Sequence, residues 1–279
     1  MGDFIASWPL FHDAYIGGIL ASALLALLGI QLVARDQIFF GAAIAQASTF
    51  GISVALVTAA WHPFGIHLHH FSWYPPLCAA ICAVAAAVGI ECVTRREIRE
   101  AATAFVFLTA SAGALVLLTN SPHGMEEVQH LLASSLLGAT ARDGLILGIL
   151  LTSTSIFLLL HGDRLLLIAI DPGTADAAGL GVRRWSLGFV IWCALCVGMA
   201  IRMAGLLFTF GNLLLPTLAA RQVVRDMRPL FWIAPLMAAG STLAGAALAH
   251  TLDVPPAQMG VLLQGVLIAI LWALGRLRQ

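Results

Sequence analysis

The chain has 279 residues, of which 60% are hydrophobic and only 10% are charged, and its formal net charge is zero. Soluble domains are nearer half apolar and a quarter charged, so this composition excludes a soluble protein and indicates an integral membrane protein. The apolar runs are continuous and lack the alternating pattern of a membrane β-barrel, which predicts an all-α bundle.

The apolar segments suffice for about nine transmembrane helices, because each crossing takes roughly 20 apolar residues. Small residues four positions apart, such as Ser241, Gly245 and Ala249, predict a compact bundle in which helices approach closely. We expect one polytopic transmembrane domain over residues 1–279. In chain order, the predicted spans are centred near Leu24, Ala47, Ala83, Leu108, Leu151, Leu195, Leu213, Ala238 and Leu267.

All 14 positively charged residues are arginines, and most of them follow odd-numbered spans. The positive-inside rule places those segments in the cytoplasm of a bacterial-type inner membrane, with the N-terminus outside and the C-terminus cytoplasmic.

The histidines have the opposite distribution, since all of them except His161 fall on the outer side in this layout. The densest group contains His67, His69 and His70, which are candidate ligands for zinc or a similar borderline metal. The alternative interpretation is that these residues populate a membrane interface together with Trp and Tyr.

Polar side chains occur at membrane depth in two places, the stretch Gly41–Gly51 of the second span and the surroundings of a proline in the seventh. Such side chains usually face the bundle interior or a watery path rather than lipid. The alternative is that they make helix–helix hydrogen bonds without a role in transport. The candidates for a translocation pathway are Gln46, Ser48, Thr209, Asn212, Pro216 and Thr217.

Several functional classes lack the residues they would need. No carboxylate lies at the middle of a predicted span, which disfavours an ion-coupled secondary carrier of a metal or small polar solute, the main alternative to an ATP-driven transporter. A membrane-embedded enzyme would need a His or an acid among the polar residues at that depth. The chain has no P-loop and no lysine, so ATP-driven transport would require hydrolysis on another subunit.

The longest charged cytoplasmic loop, residues 161–184, contains a predicted short helix. Asp171 is a good N-cap, Pro172 is a favoured first residue, and Gly179 or Gly181 is suited to the C-cap. A capped helix of this kind would fit a groove on a cytosolic partner, although a surface helix without a partner is the alternative.

The order of the motifs resembles that of the permease subunits of ABC importers for zinc, manganese and related metals. Residues 38–53 match the frame of the family's G-D-A-x-S-H-A segment, and residues 131–138 resemble its L-F-G segment. Residues 171–182, D-P-G-T-A-D-A-A-G-L-G-V, resemble its coupling helix, and residues 204–221 and 252–258 resemble its last two motifs. The resemblance assigns coupling to an ATPase to Asp171, Pro172, Ala175, Asp176, Gly179 and Val182.

The resemblance implies a type II ABC importer-like permease whose cargo is a divalent cation, namely zinc, manganese or iron. It implies a homodimer around a central pathway, two cytosolic P-loop ATPase subunits that bind ATP, and an extracytoplasmic metal-binding protein. The chain itself is expected to bind no cofactor and no nucleic acid and to catalyse no reaction.

The chain departs from the family pattern in the second span, where Ala42 and Gln46 replace Asp and His and Ala45 replaces Ser. These are the positions expected to contact the metal. An amide oxygen is a poorer ligand for zinc than imidazole, so the identity of the cargo stays open.

Overall fold

The computed structural model describes residues 2–60, 74–93, 96–119, 140–224 and 226–276. Every regular element within these ranges is a helix, which confirms the predicted all-α architecture. The helices are α1 (Gly2–Ala34), α2 (Ile38–Ala60), α3 (Tyr74–Glu91), α4 (Arg96–Thr119), α5 (Ala141–Ile170), α6 (Pro172–Ala177), α7 (Val182–Val223), α8 (Met227–Leu252) and α9 (Pro256–Arg276).

In the described ranges, eight of these helices are long and apolar enough to cross a membrane, and α6 is the short exception. The sequence predicts about nine spans rather than eight, and the difference arises at α7. This helix of 42 residues contains both the sixth and the seventh predicted spans. Gly205 divides α7 into residues 182–204 and 206–223, because its φ of 81° and ψ of 172° are not helical. Glycine is the residue that adopts such a positive φ without steric cost.

The two parts of α7 run in opposite directions. Before Gly205, Gly198 packs against Ser48 of α2, whereas after Gly205 the side chain of Leu213 packs against Gly41. Gly41 lies about two turns closer to the start of α2 than Ser48 does. Residues 206–223 therefore return toward the end of the bundle at which α7 begins. The sixth and seventh predicted spans thus correspond to the two parts of α7, before and after Gly205.

Helix α5 extends into the segment that the sequence predicts as a loop, since it continues to Ile170 rather than ending near His161. The reason is amphipathic patterning: Gly162, Leu165 and Ile168 are buried, while the charged residues between them face outward. The connection between α5 and α7 is therefore much shorter than the predicted loop of residues 161–184, and α6 occupies most of it.

The interior of the bundle is formed by α1, α2 and α7, whose spanning residues are mostly buried, and the other long helices surround them. Small residues permit contact between backbones at the crossings. A Cβ atom added to Gly245 of α8 would lie 2.5 Å from the Cα atom of Gly260 in α9. This close approach agrees with the stripe of small residues predicted around Gly245.

Candidate translocation and coupling sites

Gln46 is a half-buried position in a largely buried stretch of α2. Ala45 and Ala47 beside it are buried, whereas Gln46 is half-buried, as is Phe50 one turn further along. Its amide makes no hydrogen bond within the described part of the chain. An unpaired amide on a spanning helix is costly against lipid, so this position favours contact with a watery path or with another protein surface.

The other predicted pathway residues lie inside the single chain. Ser48, Thr209, Asn212 and Thr217 each have an exposed fraction of 0%, and Pro216 is also buried. Their part in a pathway stays a prediction, and a path that used them would have to open between helices of one chain.

Three of these buried side chains bond to backbone carbonyls. Thr209 Oγ1 donates to Gly205 O at 2.8 Å, and Thr217 Oγ1 donates to Ala26 O of α1 at 3.3 Å. Asn212 Nδ2 donates to Phe208 O at 3.0 Å. The Ser48 hydroxyl has no hydrogen-bond partner among the described residues.

A polar network that the sequence analysis missed joins three helices at membrane depth. Gln264 Nε2 of α9 donates to Asn212 Oδ1 of α7 and to Ser241 Oγ of α8, both at 2.8 Å. Gln264 is almost fully buried and its Oε1 atom has no partner in the described ranges. The available signal was the same one that singled out Gln46, a glutamine within an otherwise apolar run.

Helix α6 has the caps that the sequence predicts. Asp171 accepts hydrogen bonds from Thr174 N at 3.0 Å and from Thr174 Oγ1 at 2.6 Å, and Pro172 is the first helical residue. These bonds from Thr174 hold the pKa of Asp171 below its ordinary value of 3.8. Gly179 follows the helix with a φ of 76°, the left-handed conformation that ends many helices.

The burial pattern of α6 shows how it is attached. Ala175 is fully buried against the bundle, whereas the other residues of the helix, including Asp176, are exposed. Asp171 also ends α5, because its N–H donates to Leu167 O at 2.9 Å. Helix α6 therefore projects from one end of the bundle, fixed at one small residue and continuous with α5, and Val182 begins α7 soon after it.

A buried polar network lies at this same end. Arg35, directly after α1, donates from Nη1 to Ser186 Oγ at 2.7 Å, and Ser186 Oγ donates to Glu91 Oε1 at 2.6 Å. Arg99 Nη1 lies 3.6 Å from Glu91 Oε2. Arg35 also lies over the ring of Phe189, with 4.7 Å between its Cζ atom and the ring centroid. The first turns of α7 are thereby tied to the ends of α1, α3 and α4.

The opposite end of the bundle carries another ion pair that the sequence analysis did not anticipate. Asp143 in the first turn of α5 is buried and pairs with Arg202 of α7. Both residues lie near helix ends rather than at mid-span, so they do not supply the mid-span carboxylate that an ion-coupled carrier would need.

No metal-binding cluster is present within the described ranges, where no three His, Cys, Asp or Glu side chains come together to hold an ion. The candidate ligands His67, His69 and His70 lie outside the described residues, as does the segment 131–138. Cys193 and Cys196 are buried, free cysteines on α7.

Comparison with known proteins gives consistent matches over nearly the whole chain. The sequence profile of the ABC 3 transport family matches residues 7–274. The manganese transport system membrane protein MntC of Halalkalibacterium halodurans is 24% identical over 96% of this chain and 88% of that protein. The corresponding MntB of Synechocystis sp. is 26% identical over 94% and 83%.

The chain is also similar to a relative that is named for iron and to a chain of a solved structure. A probable iron transport system membrane protein of Haemophilus influenzae is 24% identical over 91% of this chain and 84% of that protein. A chain of PsaBC from Streptococcus pneumoniae, solved in complex with Fab, has a TM-score of 0.81 and 16% identity. The match covers 97% of this chain and 95% of that one, and at this identity it establishes a shared fold.

Proposed function

Since this chain belongs to the ABC 3 transport family, we propose that it is the membrane permease subunit of an ABC importer for a divalent metal cation. In this proposal ATP is hydrolysed on a separate cytosolic P-loop subunit, and the permease itself catalyses no reaction. Zinc, manganese and iron are the candidate cargoes, and the manganese and iron named for relatives support that class.

The observation that carries the proposal is the geometry of α6. A short helix capped at both ends, exposed on every residue but Ala175, projects between two spanning helices. Such a helix has no core of its own to bury, so its stability depends on its caps and on a surface that receives it. A groove on an ATPase subunit is that surface, and the start of α7 is where its movement would enter the bundle.

The accessible Gln46 supports a second copy of the chain as partner. Its amide is only half-buried within the single chain, and another copy could enclose a watery path around it and remove the cost of exposing it to lipid. An extracytoplasmic metal-binding protein would deliver the cation to the end opposite α6. The membrane is the bacterial-type inner membrane, with the N-terminus outside and α6 in the cytoplasm, as the arginine distribution favours.

A pair of proline variants tests the coupling step. Proline fixes φ near −65°, so Gly179→Pro is incompatible with the φ of 76° at that position. The variant should therefore change the orientation of α6 relative to α7. Gly181 already has a φ of −67°, so Gly181→Pro is the matched control. Both proteins should reach the membrane, and ATP-dependent uptake of manganese, zinc or iron should be lost only in Gly179→Pro.

The same assay separates an importer from a carrier. Uptake by the wild-type protein should stop when ATP is depleted and should persist when an ionophore collapses the proton and sodium gradients. Uptake that survives ATP depletion but fails with the gradients, or equal uptake by both proline variants, would contradict the proposal.

A further inference from the structure

A cavity of about 500 Å³ lies between α5 and the first part of α7. Four aromatic side chains line it, Phe157 from α5 and Trp185, Phe189 and Trp192 from α7. Arg184 supplies the charged part of the lining. The cavity is thus an aromatic compartment with a single cation at its rim.

Polar contacts hold the two helices together beside the cavity and at their outer ends. Trp192 Nε1 donates to Thr154 Oγ1 at 2.8 Å, and the Asp143–Arg202 pair joins the helices at their outer ends. The gap therefore persists because the helices are fixed on one side of it.

The side of the cavity nearer α6 is bounded by rings that pack against one another. The centroid of His161 lies 5.4 Å from that of Phe157 and 5.0 Å from that of Trp185. These rings bridge α5 and α7 near the end of the bundle that carries α6. The compartment is consequently framed by side chains from both helices rather than left by a single missing contact.

The position of the cavity determines what can fill it. Both of its helices are long and apolar enough to span a membrane, so we infer that its surroundings are lipid hydrocarbon rather than water. Apolar walls offer too few hydrogen-bond partners to hold ordered water. Arg184 and Gly188 are exposed, so the compartment opens to the surface of the bundle. An acyl chain can enter from that side.

The charge of Arg184 selects the headgroup. No ion pair to Arg184 is present within the part of the chain that the structure describes, and Arg184 lies a few residues after α6 on the arginine-rich side. Basic pockets between spanning helices on the cytoplasmic side bind anionic lipid headgroups. We propose that this cavity binds an anionic phospholipid, with an acyl chain among the four aromatic rings and the phosphate at Arg184.

A cavity-filling variant tests the acyl-chain part of the site. A Cβ atom at Gly188 would meet no atom within 4 Å, so Gly188→Leu should place a bulky side chain in the compartment and reduce the space for an acyl chain. Gly240 on α8 is also exposed and equally unobstructed, which makes Gly240→Leu the matched control. Native mass spectrometry of the full chain, purified with its partners and titrated with phosphatidylglycerol, should show retained lipid for Gly240→Leu and wild type but not for Gly188→Leu.

A charge variant tests the headgroup part. Arg184→Gln should lower the retention of phosphatidylglycerol about fivefold, and that of phosphatidylethanolamine by less, because its ammonium group offsets the charge of its phosphate. Arg183 is exposed next to it but does not line the cavity, so Arg183→Gln is the control and should behave as wild type.

Three results would overturn the proposal. Unchanged lipid retention in Gly188→Leu would show that the cavity is not the lipid site. If Gly188→Leu also dissociated the homodimer while lipid retention stayed intact, a second copy of the chain would be the occupant. Unchanged retention of phosphatidylglycerol in Arg184→Gln would contradict the assignment of the phosphate to that residue.

Discussion

Arg35 Nη1 and Ser186 Oγ, 151 positions apart in the sequence, are joined by a hydrogen bond of 2.7 Å. Ser186 lies in the first turns of α7, a few residues after the exposed helix α6, and it donates in turn to Glu91 at the end of α3. A displacement of α6 that moved the start of α7 would therefore be transmitted to the ends of α1 and α3 through the Ser186 side chain. This contact is a short physical connection between the proposed coupling helix and the interior helices.

The first prediction concerns the charge balance at this contact. Burial lowers the pKa of Arg35, and the Glu91 carboxylate is the largest influence opposing that shift. Glu91→Gln should lower the free energy of unfolding by about 3 kcal/mol, because it leaves a largely buried guanidinium without its counter-charge. Denaturant unfolding of the detergent-purified chain measures this. Asp163→Asn, the corresponding change from carboxylate to amide at an exposed position, is the control, and an equal effect of both variants would contradict the prediction.

The second prediction concerns the Asn212–Gln264 hydrogen bond. If the bond joins α7 to α9 as the 2.8 Å distance indicates, the effects of Asn212→Leu and Gln264→Leu on unfolding should not add. A double-mutant cycle should give a coupling energy of about 1 kcal/mol, the range for interhelical hydrogen bonds in membranes. Strictly additive effects would mean that the two amides stabilise the protein independently.

The third prediction follows from the lowered pKa of Asp171. Because the folded-state value lies below the ordinary 3.8, the cap stabilises α6 at every pH above the ordinary value and loses that effect as pH falls through the folded value. Amide-exchange protection of α6 should therefore be constant from neutral pH to about pH 5 and fall only below about pH 4.

The substitution Asp171→Asn separates the charge of this cap from its hydrogen bonds. The amide oxygen still accepts from Thr174 but does not titrate, so protection in the variant should not change over the same pH range. Loss of protection with the same midpoint in both proteins would assign the effect to another group.

The fourth prediction concerns the accessible amide on α2. Gln46→His should increase the preference for zinc or manganese in uptake competition, because imidazole is a better ligand for these metals. Thr58→His places the same side chain further along α2 and is the control. An unchanged order of metal preference in Gln46→His would contradict the assignment of Gln46 to the translocation pathway.

The parts of the fold that sequence predicts well depend on local signals. The caps of α6 follow from Asp171, Pro172 and Gly179, because capping involves side chains and backbone within a few residues. Spans are recognised from length and composition alone. The turn at Gly205 is harder to place, because a single residue reverses the chain without the polar loop that usually separates two spans.

Long-range pairing is the part that the sequence does not reveal. Gln264 is recognisable as a polar residue in an apolar run, but its two partners come from different helices. The same applies to Arg35, Ser186 and Glu91, which three separate helix ends bring together. Position on a helix face also decides whether a polar residue such as Gln46 is accessible or, like Ser48, buried.

The most direct test of the proposed function is purification of the tagged chain from its native membrane in mild detergent, followed by mass spectrometry of the accompanying proteins. We expect a P-loop ATPase subunit in roughly equal amount with the wild type. Asp176→Arg, which reverses an exposed charge on α6, should lose it, whereas Asp226→Arg, the same change at an exposed residue before α8, should keep it. A chain that purifies without an ATPase, or that keeps it in Asp176→Arg, would contradict the assignment of α6 as the coupling helix.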